Sequence, residues 1–166
     1  GNQYDIAYEV LMGVAQPNTW NHIALVRNGN LFTPYLNGLS GVPTSNSSPL
    51  YNTSACTAIA ATQTGAMPTT GYFSNIRIVK GTAVYTANFA PPTMALTNIA
   101  NTVMLLNTYY TNPFADSSSN NNTITTHSNP TASYLTPITT PTTVQRTTNT
   151  GIMLVGGYFN EVDPIT

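Results

Sequence analysis

Hydrophobic and polar side chains alternate over short stretches of this chain with a period of two, which is typical of strands. The clearest stretch covers residues 20–27. Trp20, His22 and every second residue after them form one face, while Ile23 and Leu25 form the other. Because both faces are largely apolar, the pattern predicts a strand that is covered on both sides, as in the middle of a sandwich.

Glycine and asparagine mark the turns between these stretches. Asn28-Gly29-Asn30 and Asn37-Gly38 supply the left-handed backbone positions that tight hairpins need. Residues 41–70 contain three prolines and are predicted to be loop with one or two short strands. A polar turn is predicted at 116–122, and helical periodicity is almost absent. The remaining predicted strands are 4–12, 31–36, 72–80, 103–106 and 152–159. This pattern favours an all-β, antiparallel β-sandwich.

Charge is scarce in this chain. Nine side chains of 166 are charged, or 5%, and the formal net charge is −1, whereas an ordinary soluble domain carries about 25% charged residues. Asn, Ser and Thr together account for 60 residues. This balance argues against nucleic-acid binding, and the lack of any apolar run of about 18 residues argues against membrane insertion. A surface of hydroxyls and amides suits an extracellular assembly, and compositional drift in a secreted domain is the alternative.

Two segments resemble a known family. Trp20-Asn-His-Ile-Ala-Leu-Val-Arg27 with Tyr35-Leu-Asn-Gly38 is similar to the paired central strands of laminin G-like modules, in the concanavalin A-like superfamily. The stretch from Gly71 to Thr93, with Phe114-Ala-Asp-Ser-Ser-Ser-Asn-Asn-Asn-Thr-Ile-Thr125 after it, looks most like versions found in virion proteins of tailed phages, cyanophages above all. The resemblance covers about residues 20–126. It implies a two-sheet antiparallel jelly roll and a place in the virion.

The resemblance also implies a domain organisation. Residues 1–96 would form the C-terminal portion of a laminin G-like β-sandwich, 97–140 an extended or β segment with an Asn-rich turn, and 141–166 a Thr-rich linker with a terminal strand. Modules of this family carry more strands before the one at Trp20, so Gly1 is expected to lie partway through a longer protein. The sandwich is therefore expected either to close with residues 97–166 or to be completed by a neighbouring chain.

Catalytic chemistry is disfavoured by the spacing of the acidic residues. Asp5 and Glu9 would share a strand face about 13 Å apart, whereas glycosidases need about 5–9.5 Å between their carboxylates. Asp116, Glu161 and Asp163 lie in turn or tail contexts. The histidines, His22 and His127, form no zinc motif with Cys56, which is expected to be an inert small residue. His22 is expected to be a satisfied core histidine, and the chain is expected not to be an enzyme.

Two weaker kinds of site remain open. Laminin G-like domains often bind Ca²⁺ through oxygen ligands, and the candidates here are Asp116, Asn120, Asn121 and Asn122. An Asx-turn is the favoured alternative at that cluster, and no cofactor is required. Carbohydrate binding would need exposed aromatic side chains, for which the candidates are Tyr51, Tyr109 and Tyr110; packing against other subunits is the alternative.

These expectations lead to a ranked set of functions. The first is a non-enzymatic structural component of a phage virion, as a fibre, tail or capsid-decorating protein that contacts other virion proteins or copies of itself. The alternative is a carbohydrate-binding adhesin module that recognises a host-surface glycan. A glucanase-like hydrolase comes third, because the carboxylate spacing opposes it.

Overall fold

The computed structural model describes residues 10–50, 57–62, 64–66, 68–107, 112–133 and 135–138, together with the backbone of strands at 143–147 and 151–155. These residues form eight strands and no helix, and so include no helix long and apolar enough to cross a membrane. The pairings β1–β2, β2–β3, β2–β4 and β7–β8 are antiparallel, so the predicted all-β, antiparallel class is confirmed. The strands are β1 (Ile23–Asn28), β2 (Leu31–Leu36), β3 (Leu39–Ser40), β4 (Thr44–Ser45), β5 (Ile76–Val79), β6 (Thr102–Leu106), β7 (Thr143–Thr147) and β8 (Gly151–Val155).

The chain divides into two compact units. The first comprises Gly1–Ala55 and Val79–Pro91, and the second comprises Cys56–Ile78 and Pro92–Thr166. The first unit holds a four-stranded sheet of β1 to β4, with β2 at its centre. Two-stranded sheets are formed by β5 with β6 and by β7 with β8. The predicted boundaries at residues 96 and 140 stay a prediction.

Both predicted hairpin turns are confirmed. Asn28 pairs with Leu31 across a two-residue turn in which Gly29 has a φ of 61°. Leu36 pairs with Leu39 across Asn37-Gly38, whose φ values of 51° and 80° are both left-handed. Two consecutive left-handed residues are what a type I′ turn requires, and Asn-Gly is the pair that adopts it most readily. The strand between the two turns has the predicted bounds of 31–36.

A proline lies in the central strand at a position where its missing N–H is tolerated. Pro34 cannot donate a ladder hydrogen bond, so proline is normally confined to sheet edges and bulges. In β2 the first two residues pair with β4 and the last two pair with β3. Pro34 lies in the gap between those two ladders, where only its carbonyl is used, by the N–H of Gly41 at 2.8 Å.

The core of the first unit is aromatic on one side of β2. Tyr35 is 2% exposed, and its ring centroid lies 5.4 Å from that of Phe89. Phe89 stacks on Tyr85 at 3.6 Å with nearly parallel planes. Phe32, on the other side of β2, is also buried. Aromatic pairs at such distances contribute about 0.5–1.5 kcal/mol each beyond the area they bury.

The prediction that β1 is covered on both faces is wrong. Ile23 and Leu25 are 59% and 56% exposed. On the same side of the sheet Leu36, the β2 partner of Ile23, is buried, because the chain near Gly13 lies against it. That covering segment contacts β2, and it leaves the two β1 side chains largely in solvent. Among the described residues β1 is also paired on one side only, by β2.

The other strand predictions hold in part. Residues 10–12 are not in a strand, and the rest of the predicted strand at 4–12 lies outside the described residues. The strand predicted at 72–80 is shorter, because Asn75 has a φ of 61° that interrupts the extended chain before β5. Tyr72 and Phe73 are consequently exposed, outside any strand. The Thr-rich stretch predicted as linker contains β7, which pairs with β8.

Candidate functional site

Ile23 and Leu25 form an exposed apolar surface on β1, which we call the outer face of β1. The register places both side chains on the same side of the sheet as their buried partners Leu36 and Pro34. Isolated apolar side chains are common on protein surfaces, but two on one face of a strand that has one pairing partner among the described residues offer a surface to which another strand or chain can bind. Sequence reasoning missed this exposure, because a period of two shows which residues share a face but not whether that face is covered.

The charge at the end of β1 is engaged within the chain. The Arg27 side chain donates from Nε to the Gly29 carbonyl and from Nη2 to the Ser48 carbonyl, both at 2.9 Å. Its guanidinium carbon lies 4.9 Å from the centroid of the Phe32 ring, a cation–π distance. Strand edges that avoid pairing with other chains usually carry a free charge, often a lysine. The one charged side chain of β1 is instead turned back onto its own unit.

His22, a part-buried histidine, lies directly before β1 on the side of the sheet opposite to Ile23 and Leu25. The backbone N–H of His22 donates to Oδ1 of Asn37, and its carbonyl accepts from the Asn37 N–H, each at 2.8 Å. The ring meets Phe89 and Tyr85 edge to face, at 5.4 and 6.2 Å between centroids. Its Nδ1 atom is buried with no hydrogen-bond partner in the described part of the chain. The expectation of a satisfied core histidine is therefore wrong in part, because the ring packs among aromatic side chains but is only part-buried, and its Nδ1 atom has no partner among the described residues. Burial lowers the pKa of His22 below its ordinary value of 6.5.

We expect acid to destabilise the first unit through His22. A histidine whose folded-state pKa is lowered contributes full stability above the ordinary pKa of 6.5 and loses it as the pH falls through the folded-state value. The free energy of unfolding should therefore begin to fall as the pH drops below about 6.5, and a urea titration that follows the fluorescence of Trp20, the only tryptophan, measures this. His22→Phe should flatten that dependence, because it keeps an aromatic ring and removes the titrating group.

The control for that measurement is His127→Gln. This histidine is exposed and belongs to the second unit. Its variant should keep the wild-type dependence of the Trp20 transition on pH. Equal slopes for wild type and His22→Phe would contradict the prediction.

The predicted polar turn is built around the carboxylate of Asp116, which is 5% exposed. Its Oδ1 accepts from the N–H groups of Leu105 and Ser118, both at 2.8 Å. Its Oδ2 accepts from the Ser118 hydroxyl at 2.8 Å, from the Asn122 N–H at 2.9 Å and from the Asn122 side-chain amide. Burial alone would raise the pKa of Asp116, but the bonds from Ser118, Asn122 and Leu105 outweigh it and hold that pKa well below its ordinary range.

The amides of this turn are directed to a strand carbonyl. The Val103 carbonyl of β6 accepts from Nδ2 of Asn122 at 2.7 Å, from Nδ2 of Asn120 at 3.3 Å and from the Ser118 hydroxyl at 3.3 Å. Asn121 is exposed, with a left-handed φ of 47°. The four residues proposed as calcium ligands thus come together, but a cation at Asp116 would have to displace five hydrogen bonds. The arrangement is that of an Asx-turn docked on β6.

Several other predicted site residues lie outside the described part of the chain. Among the described residues no group of three or more His, Cys, Asp or Glu side chains is placed to hold a metal ion. His127 is exposed and lies against Gly65, where an added Cβ would come within 2.9 Å of the imidazole. The predicted candidates outside the described residues are Tyr51, Tyr109, Tyr110, Cys56, Asp5, Glu9, Glu161 and Asp163.

The fold class of the described residues is all-β, with antiparallel pairing and no helix. Comparison with protein-family models, with curated proteins and with solved structures finds no match to this chain. Among the described residues, the outer face of β1 is the surface from which a function is proposed below.

Proposed function

We propose that the chain is a non-enzymatic structural component of a phage virion, located in a fibre, a tail or a capsid decoration. It acts through contacts between subunits rather than through a catalytic centre. Its fold in this proposal is a jelly-roll β-sandwich of the concanavalin A and laminin G type, closed on its own or completed by a neighbouring chain. The virion assignment rests on the resemblance of residues 20–126 to phage modules.

The observation that carries the proposal is the outer face of β1. Ile23 and Leu25 are more than half exposed on a strand that has one pairing partner among the described residues. A second strand added at that side would satisfy backbone groups, and a surface laid over the two side chains would remove them from water. Burying an apolar side chain contributes about 1.5–3 kcal/mol. Such a surface therefore favours association with another chain.

The electrostatics support the same role. The charged groups of Arg27 and Asp116 both make their contacts within their own units. Asn, Ser and Thr make up more than a third of the residues. Their hydroxyl and amide groups can hydrogen-bond across an interface at a smaller desolvation cost than charged groups. Association through such a surface should depend weakly on salt. The buried, fully hydrogen-bonded carboxylate of Asp116 suits a structural role better than proton transfer.

We expect the double variant Ile23→Thr/Leu25→Thr to weaken self-association or partner binding at least about tenfold. Both substitutions remove exposed apolar groups and keep a strand-compatible side chain, so thermal stability should change little. Sedimentation velocity of the full chain over a range of concentrations measures the effect. The matched control is Val14→Thr, because Val14 is 83% exposed in the same unit and lies outside the outer face of β1.

The virion assignment has its own test. Antibodies raised against the purified chain should label intact phage particles that encode it in electron micrographs. The proposal would be overturned if the wild-type chain stays monomeric and the antibodies fail to label such particles. Specific retention on a glycan array by the monomer would favour the adhesin alternative instead.

A further inference from the structure

The chain contains two Asn-Gly pairs, and both lie at hairpin turns. Asn28 is the last residue of β1 and precedes a two-residue turn that begins at Gly29, whereas Asn37-Gly38 is itself the two-residue turn between β2 and β3. Both asparagine side chains are exposed. Asparagine followed by glycine is the dipeptide most prone to intramolecular cyclisation, because glycine has no Cβ to hinder the attack of its backbone nitrogen. Because the two dipeptides are identical, a difference in their reactivity must come from their positions at the turns and from their surroundings.

The surroundings of Asn37 hold its side chain away from reaction. Its Oδ1 accepts from the His22 N–H at 2.8 Å, and its Nδ2 donates to Oδ1 of Asn21 at 3.2 Å. The next residue, Gly38, is buried, and its carbonyl accepts from the Phe89 N–H at 2.9 Å. To cyclise, the Asn37 amide would have to leave both partners and swing towards the nitrogen of a glycine that is packed in place.

The surroundings of Asn28 are open. An added Cβ at Gly29 would meet no atom within 4 Å among the described residues. In a two-residue turn the defining hydrogen bond runs from the residue after the turn to the residue before it, so the Gly29 N–H is not part of that bond. The guanidinium of Arg27 donates to the Gly29 carbonyl at 2.9 Å. A fixed positive charge so close favours the negative charge that develops on the attacking nitrogen.

We propose that Asn28 is a site of spontaneous deamidation in the folded protein and that Asn37 is protected from it. The Gly29 nitrogen attacks Cγ of Asn28, a bond forms between those two atoms, and the bond from Cγ to Nδ2 breaks. Ammonia leaves with the proton from the Gly29 nitrogen. Water then opens the succinimide at either carbonyl, which yields aspartate or isoaspartate and leaves no other product.

The conversion changes the end of β1 in two ways. It adds a negative charge to a chain whose formal net charge is −1, directly beside Arg27. The isoaspartate product also lengthens the backbone by one carbon within the pair Asn28–Leu31 that closes the hairpin. Because register across a two-residue turn depends on its length, that product loosens the hairpin that presents the outer face of β1.

The experiment is a time course of the full folded chain in mildly alkaline buffer, followed by digestion at acidic pH. Peptic cleavage after Phe32 or Tyr35 places the two turns in separate peptides, and mass spectrometry with isoaspartyl methyltransferase labelling measures each conversion. Asn28 is expected to convert at least about tenfold faster than Asn37, since two hydrogen bonds hold the latter. In denaturant the two rates should become similar.

Two variants sharpen the result. Asn28→Gln should abolish labelling of the first hairpin peptide. Asn21→Ala should raise the rate at Asn37 and leave the rate at Asn28 unchanged, because it removes one of the bonds that hold Asn37. Equal rates at Asn28 and Asn37 in the folded wild type, or a faster rate at Asn37, would overturn the proposal.

Discussion

Replacing Gly38 with alanine is expected to lower the free energy of unfolding of the first unit by about 3–5 kcal/mol. A Cβ at this position would lie 1.8 Å from the backbone carbonyl oxygen of Phe89, and no side-chain rotation can relieve a clash with backbone. The φ of 80° adds strain of its own. Small domains are stable by about 5–15 kcal/mol, so the variant should be largely unfolded in mild urea. Trp20 fluorescence in a urea titration measures the loss in this unit.

Alanine substitutions at Gly29 and Gly41 separate the two causes of that loss, which are the left-handed backbone and the clash of the added Cβ with a neighbouring carbonyl. Gly29 has a φ of 61°, but an alanine Cβ there would have no described atom within 4 Å, so Gly29→Ala should cost only about 1 kcal/mol. Gly41 has no left-handed φ, yet its Cβ would lie 2.1 Å from the Leu11 carbonyl oxygen, so Gly41→Ala should approach the Gly38→Ala loss. If Gly38→Ala and Gly29→Ala are equally stable, the close approach of Phe89 to the turn is contradicted.

Replacing Asp116 with alanine is expected to destabilise the second unit by at least about 3 kcal/mol. The variant leaves the buried N–H groups of Leu105 and Ser118, and the part-buried N–H of Asn122, without their acceptor. Asp116→Asn should also destabilise it, because either orientation of the amide points an NH₂ group at protein donors. Hydrogen exchange at the Leu105 amide measures the effect, since that proton is protected by the carboxylate.

The pH dependence of the same site follows from the lowered pKa of Asp116. A carboxyl group with a lowered folded-state pKa contributes full stability above the ordinary value of 3.8 and loses it as the pH falls through the folded-state value. Protection at Leu105 should therefore persist at mildly acidic pH and decline only in strong acid. The exposed neighbour Ser117 offers the control, and Ser117→Ala should behave as wild type. Unchanged exchange at Leu105 in Asp116→Ala would contradict this account.

The parts of the fold that were predictable are those governed by local chemistry. Gly29, Asn37 and Gly38 have the left-handed backbone that Asn-Gly sequences favour, and β2 occupies the predicted residues. The polar turn at Asp116 was also predictable, since Asp and Ser side chains bond to N–H groups two residues away. Asn75 shows the limit of such patterns. Its left-handed φ ends the strand early, and its side chain accepts from the Leu96 N–H, 21 residues further along the chain.

Alternation and turn chemistry act between near neighbours, so the order of the residues was enough to predict short antiparallel strands with Asn-Gly pairs at their turns. The tertiary structure alone decided which face of β1 stays in solvent, since a period of two assigns Ile23 and Leu25 to one face without showing what covers it. It also decided that Gly38 meets Phe89 and that Asp116 is satisfied by Leu105. Those contacts join residues far apart in the chain, and packing of the whole unit, rather than local preference, sets their distances.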